Sequence, residues 1–150
     1  MIMKRIATAL VLSLFFAVTY AQTSSKIRLH EPYKIYAQDG GKRVYLGRLA
    51  RPSHPESIFN SFSQYGNKND KSSIWNGYGT YGNKFSTRSP WNEFSSTPPM
   101  LVNKNNEVVG YFTTNESKCV AALIPVMKYM KKNLDKCASK PESVYKMFFY

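Results

Sequence analysis

The sequence predicts a small α+β domain: two hairpins form an antiparallel sheet, a repeat region lies between them, and a C-terminal amphipathic helix packs across the sheet. Three observations lead to this prediction. Apolar residues alternate in two separate stretches, they recur at helical spacing within residues 113–138, and residues 57–97 repeat themselves every 16 residues. Because strands and helix occupy separate parts of the chain, the pattern is typical of the α+β class.

Residues 1–21 have the features of a cleavable secretory signal peptide. The basic pair Lys4 and Arg5 precedes a mostly apolar run of 13 residues, and small residues surround the cleavage position at Ala21. The run is shorter than the roughly 20 residues that span a bilayer. We therefore expect a single exported domain, residues 22–150, without a further transmembrane segment. A periplasmic or secreted location is expected, because no lipobox cysteine follows the run.

The chain is strongly basic. Cleavage would remove Lys4 and Arg5 and lower the formal net charge from +12 to +10. Such a charge favours anionic partners, including nucleic acid, lipid headgroups and acidic cell-wall polymers, but it does not choose among them. Most lysines are spread along the chain, which is also typical of an ordinary solvated surface.

Two hairpins are predicted on either side of the repeat region. Apolar residues alternate loosely over residues 26–50, and Asp39-Gly40-Gly41 supplies the turn between two short runs. Residues 100–102 and 108–112 have the composition of two further strands, and the polar segment 103–106 would join them.

The C-terminal part predicts a helix. Thr113 and Glu116 match a capping box, and apolar residues follow at helical spacing. Pro125 interrupts this pattern, so we expect a kink or two helices that meet there. Pro141 is expected to end the helical section, and residues 144–150 could add a final strand.

The repeat region contains two full copies and one truncated copy of a 16-residue unit. Each copy begins with serine, a good N-cap, and the full copies close with Tyr-Gly-Asn-Lys, so a short helical or 3₁₀ turn is predicted in each, with irregular turns as the alternative. The copies begin with Ser57-Ile58-Phe59-Asn60, Ser73-Ile74-Trp75-Asn76 and Ser89-Pro90-Trp91-Asn92.

The aromatic residues of the repeats have two interpretations. They could form a platform for sugar rings or bases beside lysines, or they could form a shared core, because a unit this small must bury its apolar face against its neighbours. We favour the shared core. Exposure of the aromatic side chains would decide between the two. The candidate binding residues are Trp75, Tyr78, Tyr81, Trp91, Lys68 and Lys84.

The segment Ser73–Ser86, SIWNGYGTYGNKFS, resembles the repeats of a group of small, mostly uncharacterised bacterial proteins. In that group, units of the form S-I-W-N-x-Y-G-x-Y-G follow a Y-L-G element and precede P-P-x-x-V and G-Y-x-T-x-N elements. The corresponding flanks here are residues 45–47, 98–102 and 110–115. The resemblance implies kinship over roughly residues 45–115, and it implies no activity and no catalytic residue.

Cys119 and Cys137 are the only cysteines. An exported protein meets an oxidising compartment, which favours a disulfide. On one continuous helix, however, their separation in sequence would place the Cα atoms about 27 Å apart, whereas bridged Cα atoms lie about 4.4–6.8 Å apart. Pairing therefore requires the chain to double back, and free or intermolecular thiols remain the alternatives. Two cysteines without neighbouring histidines predict no zinc site, and no metal or cofactor is expected.

No catalytic motif stands out. His30 and His54 are the only histidines, the carboxylates are scattered singly, and the sequence contains neither a phosphate-binding loop nor an H-E-x-x-H motif. We expect a non-enzymatic binding or structural module of the cell envelope with a polyanionic or glycan partner. The alternatives are a small secreted hydrolase, a nucleic-acid-binding protein and a self-associating repeat protein.

Overall fold

An antiparallel sheet of four strands organises the protein, whose computed structural model describes residues 26–150; the predicted signal peptide lies outside this range. The strands are β1 (Tyr33–Asp39), β2 (Lys42–Leu49), β3 (Met100–Val102) and β4 (Val108–Tyr111). Their order across the sheet is β2-β1-β3-β4. Together with a C-terminal helical region, this sheet confirms the predicted α+β class.

Both predicted hairpins are present. Gly40 and Gly41 have φ angles of 56° and 81° in the turn between β1 and β2, which is the conformation that tight two-residue hairpin turns require. The second hairpin pairs Met100 with Tyr111. Pairing of β1 with β3 joins the two hairpins into one sheet. The repeat region therefore leaves the sheet from its edge strand β2 and returns beside β1.

Residues 51–97, here called the turn array, form a succession of four-residue turns. In each turn the N–H of the fourth residue donates to the C=O of the first, as between Asn76 and Ser73 and again between Gly79 and Asn76. Along residues 51–89 successive turns start three residues apart, except that each full repeat contains one four-residue step; a further turn starts at Asn92. The predicted helical or 3₁₀ turn within each copy is therefore wrong, and the alternative of turns is correct.

The turns form because serine and asparagine side chains bind the backbone two residues ahead. The hydroxyl oxygen of Ser73 accepts the N–H of Trp75 at 3.1 Å, and Oδ1 of Asn76 accepts the N–H of Tyr78 at 3.1 Å. Such bonds compete with a continuous helix and favour turns. The same pair of bonds recurs in the other two copies.

The segments that flank the repeats cap both ends of the turn array. At the first copy, the N–H of Ile58 donates to the C=O of Arg48 in β2 at 3.0 Å. At the third copy, the N–H and hydroxyl of Thr114 donate to the C=O of Pro90, at 2.8 and 3.1 Å. In the first two copies the corresponding carbonyls, of Ile58 and Ile74, each accept from a tryptophan of the next copy. Thr114 thus donates the hydrogen bond that the tryptophan of a fourth copy would donate.

The helical region is not one continuous helix: a 3₁₀ turn and an α-helix meet next to Pro125, as one of the two predicted alternatives has it. Thr113 does not begin a helix: its hydroxyl accepts the N–H of Asn115 in a turn. Pro125 lies in the first turn of a helix, where a missing N–H costs no intrahelical bond. The helical elements are a 3₁₀ turn (Ala121–Leu123), α1 (Ile124–Lys132), α2 (Leu134–Ser139) and α3 (Pro141–Phe148).

Residues 144–148 belong to a helix where a strand was predicted, and Phe149 forms only an isolated β-bridge with Ile27. Pro141 begins α3 instead of ending the helical section, for the reason that places Pro125 in α1. Phe59 of the first repeat lies 5.6 Å from the ring of Tyr145 and 5.5 Å from that of Phe149. The aromatic residues at the C-terminus therefore pack against the turn array.

Sheet, turn array and helices share one hydrophobic core. Cys137 belongs to it, Cys119 packs against it, and both are free thiols in this structure, so the predicted disulfide alternative is not formed. Burial raises the pKa of both thiols. Within residues 26–150, no helix is long and apolar enough to cross a membrane. The core includes Ile35, Leu46, Ile58, Phe59, Ile74, Trp75, Trp91, Leu101, Phe112, Met127 and Met130.

Candidate functional site

The tryptophans of the repeats face the core. Nε1–H of Trp75 donates to the C=O of Ile58 at 2.6 Å, and Nε1–H of Trp91 donates to the C=O of Ile74 at 2.5 Å. The two ring centroids lie 5.3 Å apart, and each side chain is only 3% exposed. Each tryptophan thus joins its own copy to the preceding one. The expectation that Trp75 and Trp91 offer their rings to a ligand is corrected, because burial leaves no free ring face.

A second aromatic position of the repeat faces solvent. Phe62, Tyr78 and Phe94 occupy this position in the three copies and are 97%, 102% and 86% exposed. Each follows an asparagine whose Oδ1 accepts its backbone N–H. The bond fixes the backbone while the ring extends into water. Since burial of an aromatic side chain stabilises a folded protein, three exposed rings at one repeat position favour an interaction surface.

A groove lies between the turn array and helices α1 and α2. It has a volume of about 1110 Å³. Tyr78 and Phe85, which is 80% exposed, line it together with Lys68 and Lys84 from the array. From the helices, its lining includes Lys131, Lys132 and Asp135.

The groove carries an excess of positive charge. Lys131 pairs with Glu93, which neutralises it. Within the described residues, Lys68, Lys84 and Lys132 have no ion-pair partner, although Nζ of Lys68 donates to the hydroxyl of Ser139 at 3.2 Å. Lys84 lies over the ring of Phe85, with Nζ 5.2 Å from its centroid. The lysines give this surface a positive potential that attracts anionic ligands.

Tyr81 has a structural role outside the groove. Its hydroxyl donates to Asp39 at 3.3 Å, and Arg88 pairs with the same carboxylate at 2.8 Å. Burial, followed by the charge of Asp39, raises the pKa of Tyr81. These contacts attach the second repeat to the first hairpin.

Four of the six predicted binding residues line the groove. They are Lys68, Lys84, Tyr78 and the nearly buried Trp75. Tyr81 and Trp91 lie elsewhere, whereas Phe85 and the helix lysines were missed. Phe85 stands where the first copy has Asn69. A departure between otherwise matching copies was therefore the sequence signal that could have identified it.

A polar cluster joins β2 to the turn array. The hydroxyl of Tyr45 and Nε of Arg48 both donate to the carboxylate of Glu56, at 2.9 and 2.6 Å. The hydrogen bond from Arg48 holds the pKa of Glu56 below its usual value, while burial raises that of Tyr45. Beside the cluster, Gly47 has a φ of 102°, and a Cβ there would lie 2.7 Å from Cβ of Tyr65. The cluster thus supports the close approach of strand and first repeat.

Neither histidine joins a constellation typical of a hydrolase. Nδ1 of His54 accepts the N–H of Glu56 at 3.1 Å, which is a local turn contact. Of the cavities in the described part of the chain, neither the groove nor the two smaller ones, of about 280 and 310 Å³, is lined by His30 or His54. Residues 26–150 also contain no cluster of three His, Cys, Asp or Glu side chains that could hold a metal ion.

Comparison of the chain with protein-family models, with curated proteins and with solved structures finds no match.

Proposed function

We propose that this protein is a non-enzymatic binding module for an anionic glycan, which it holds along the groove. One observation carries the proposal: the exposed rings of Tyr78 and Phe85 stand beside Lys68, Lys84 and Lys132 in a single concave surface. The predicted signal peptide supports a partner in the cell envelope, where anionic polymers are abundant.

The chemistry of the groove suits such a ligand. Sugar rings have apolar faces that pack on aromatic rings, and base stacking on the same side chains is worth about 1–3 kcal/mol per ring. Lysines attract the negative groups of a polymer and strengthen binding at low salt. The volume of about 1110 Å³ exceeds the roughly 300–1,000 Å³ of small-molecule sites, which fits a segment of several sugars.

Single-stranded nucleic acid is the second candidate that aromatic rings and lysines favour. Burial of Trp75 and Trp91 removes two of the rings on which bases would stack. The remaining pair in the groove, Tyr78 and Phe85, gives a short platform. The same platform serves a sugar or a base, so the choice of a glycan rests on the expected location in the cell envelope, and an oligonucleotide serves as a competing probe.

The test measures binding of the purified protein to polygalacturonate, to peptidoglycan, to neutral dextran and to oligo(dT). We expect affinity for the two anionic glycans to fall steeply between about 50 and about 500 mM salt, because released counterions and screening weaken charge-dependent binding. Dextran should bind weakly at either salt concentration. Absence of binding to both anionic glycans at low salt would overturn the proposal, and preference for oligo(dT) would replace the glycan with nucleic acid.

A matched pair of variants locates the surface. Lys84→Gln with Lys132→Gln removes two charges from the groove, whereas Lys42→Gln with Lys104→Gln removes two exposed charges elsewhere. The groove pair should weaken glycan binding about tenfold, which corresponds to about 1.4 kcal/mol. The control pair should change affinity less than about twofold. Equal losses would show that net charge, and not the groove, determines binding.

A further inference from the structure

The turn that begins with the repeated asparagine has a second residue that differs in every copy. This position is Ser61 in the first copy, Gly77 in the second and Glu93 in the third. The turn closes by a bond from its fourth N–H to its first C=O, and the asparagine side chain accepts the third N–H. The N–H of the second residue is used by neither bond, so it is available to a ligand.

In the first copy this N–H already binds a carboxylate. The N–H of Ser61 donates to Oε1 of Glu142 at 3.0 Å, and the hydroxyl of Ser61 donates to the same oxygen. Glu142 lies in the first turn of α3. Burial opposes its ionisation, but the hydrogen bonds from Ser61, the bond from the backbone N–H of Glu142 itself and the charge of Lys140 together lower the pKa of Glu142. The turn therefore stabilises a negatively charged oxygen at this position.

In the second copy the equivalent position is open. Gly77 lines the groove, and a Cβ built on it would meet no atom within 4 Å. Among residues 26–150, no acceptor pairs with its N–H. Lys84 and Lys132 line the same groove and add positive charge to it.

We infer that the N–H of Gly77 is a subsite for a carboxylate group, and that the glycan bound in the groove is a polyuronate. This inference rests on the proposed function and specifies its ligand. A carboxylate oxygen is assigned because that group accepts the equivalent N–H in the first copy, where the hydroxyl of Ser61, which glycine lacks, donates to it as well. Stacking of the attached sugar ring on Tyr78, the next residue in the turn, would hold the carboxylate beside the N–H.

The test compares Gly77→Pro with Gly77→Ala. Proline removes the N–H, whereas alanine keeps it and places its Cβ in open space. The chain already has proline at the second position of two turns of the array, at Pro52 and Pro55, so the fold accommodates this residue type there. Gly77→Pro should bind oligogalacturonate about tenfold more weakly than Gly77→Ala, as expected for loss of a hydrogen bond to a charged group.

Two further probes identify the source of the carboxylate. Methyl-esterified polygalacturonate should bind weakly and equally to both variants, because it lacks the charged oxygen. Poly-L-glutamate should bind more weakly than oligogalacturonate, because it has carboxylates but no sugar ring to stack on Tyr78. Equal affinity for poly-L-glutamate and oligogalacturonate would overturn the assignment of a uronate sugar.

The outcomes separate this inference from the proposed function. If both Gly77 variants bind oligogalacturonate equally, the subsite is overturned while glycan binding in the groove stands. If the unmodified protein binds no anionic glycan, both fail. The backbone amide signal of Gly77, followed by NMR during titration of the unmodified protein, gives a readout that does not depend on the folding of the proline variant. We expect a downfield amide proton shift; movement of the Tyr78 signal without that of Gly77 would contradict the inference.

Discussion

The turn array has an inner face, which is buried against the rest of the molecule, and an outer face, which is exposed to solvent. On each face, equivalent residues recur in every copy of the repeat. On the inner face, Ser57, Ser73 and Ser89 are fully buried and make the same bond to the backbone two residues ahead. On the outer face, aromatic rings at one repeat position stay in water. Recurrence of an aromatic residue therefore does not reveal its role, which depends on the direction in which its turn places the ring.

Within the array, the turns have the same geometry in all three copies, but the contacts made by their outer residues differ from copy to copy. Asparagine closes its turn in the same way in all three copies, yet the next residue contacts α3 in the first, faces the groove in the second and pairs with Lys131 in the third. Uniform inner contacts hold the copies together, and the outer positions are free to differ. Inner substitutions should therefore change stability, and outer substitutions should change binding.

The largest contrast is expected between Trp91→Ala and Tyr78→Ala. Removal of the buried Trp91 ring should lower the free energy of unfolding by about 3–5 kcal/mol, because it leaves a cavity and the C=O of Ile74 without its donor. Removal of the exposed Tyr78 ring should change it by less than about 0.5 kcal/mol. Urea unfolding followed by far-ultraviolet circular dichroism measures both.

Gly82 and Gly77 show the same difference between buried and open positions in the backbone of the array. A Cβ on Gly82 would overlap the backbone oxygen of Asn76, whereas a Cβ on Gly77 meets nothing. Gly82→Ala should therefore destabilise the protein by about 1–3 kcal/mol. Gly77→Ala should leave stability unchanged or raise it by up to about 1 kcal/mol, because alanine restricts the unfolded chain. Thermal unfolding of the two variants tests this, and equal midpoints would contradict the division into two faces.

Local signals predicted the sheet, whereas contacts distant in sequence determined the rest of the fold. Gly40 and Gly41 specify their turn by themselves, so the first hairpin could be predicted. The predicted C-terminal strand was wrong for residues 144–148, whose aromatic composition suits a strand but which continue the helix that Pro141 begins. Serine at the start of each copy signals a helix N-cap and a turn equally, which explains the wrong helical prediction in the repeats.

The candidate site was predictable only in part for a related reason. The 16-residue period identified Lys68, Lys84 and Tyr78 as recurrent positions, but it contains no information on which face they occupy. Trp75 and Tyr78 lie three residues apart in one copy, and only the stacking of neighbouring copies buries one and exposes the other. Lys132 enters the groove from a helix far along the chain, which no local pattern predicts.

The smallest expected change in the free energy of unfolding concerns the contact between Ser61 of the first copy and Glu142 of α3. Glu142→Gln should lower the free energy of unfolding by about 1 kcal/mol at pH 7, because a neutral amide is a weaker acceptor for Ser61 than a carboxylate. Glu116→Gln, in an exposed pair with Lys128 at 3.1 Å, is the control and should cost less than about 0.5 kcal/mol.

The lowered pKa of Glu142 determines how the stability that this contact contributes changes with pH. The pKa of Glu142 is lower in the folded protein, so the unfolded chain binds the proton more readily. Its contribution to stability is thus complete above the unfolded value, near pH 4.5, and is lost as pH falls through the folded value. The difference in unfolding free energy between the unmodified protein and Glu142→Gln should therefore shrink between about pH 6 and about pH 3. A difference that stays constant over this range would show that Glu142 stabilises the first copy through packing and not through its charge, and the internal precedent for a carboxylate at Gly77 would lose its electrostatic basis.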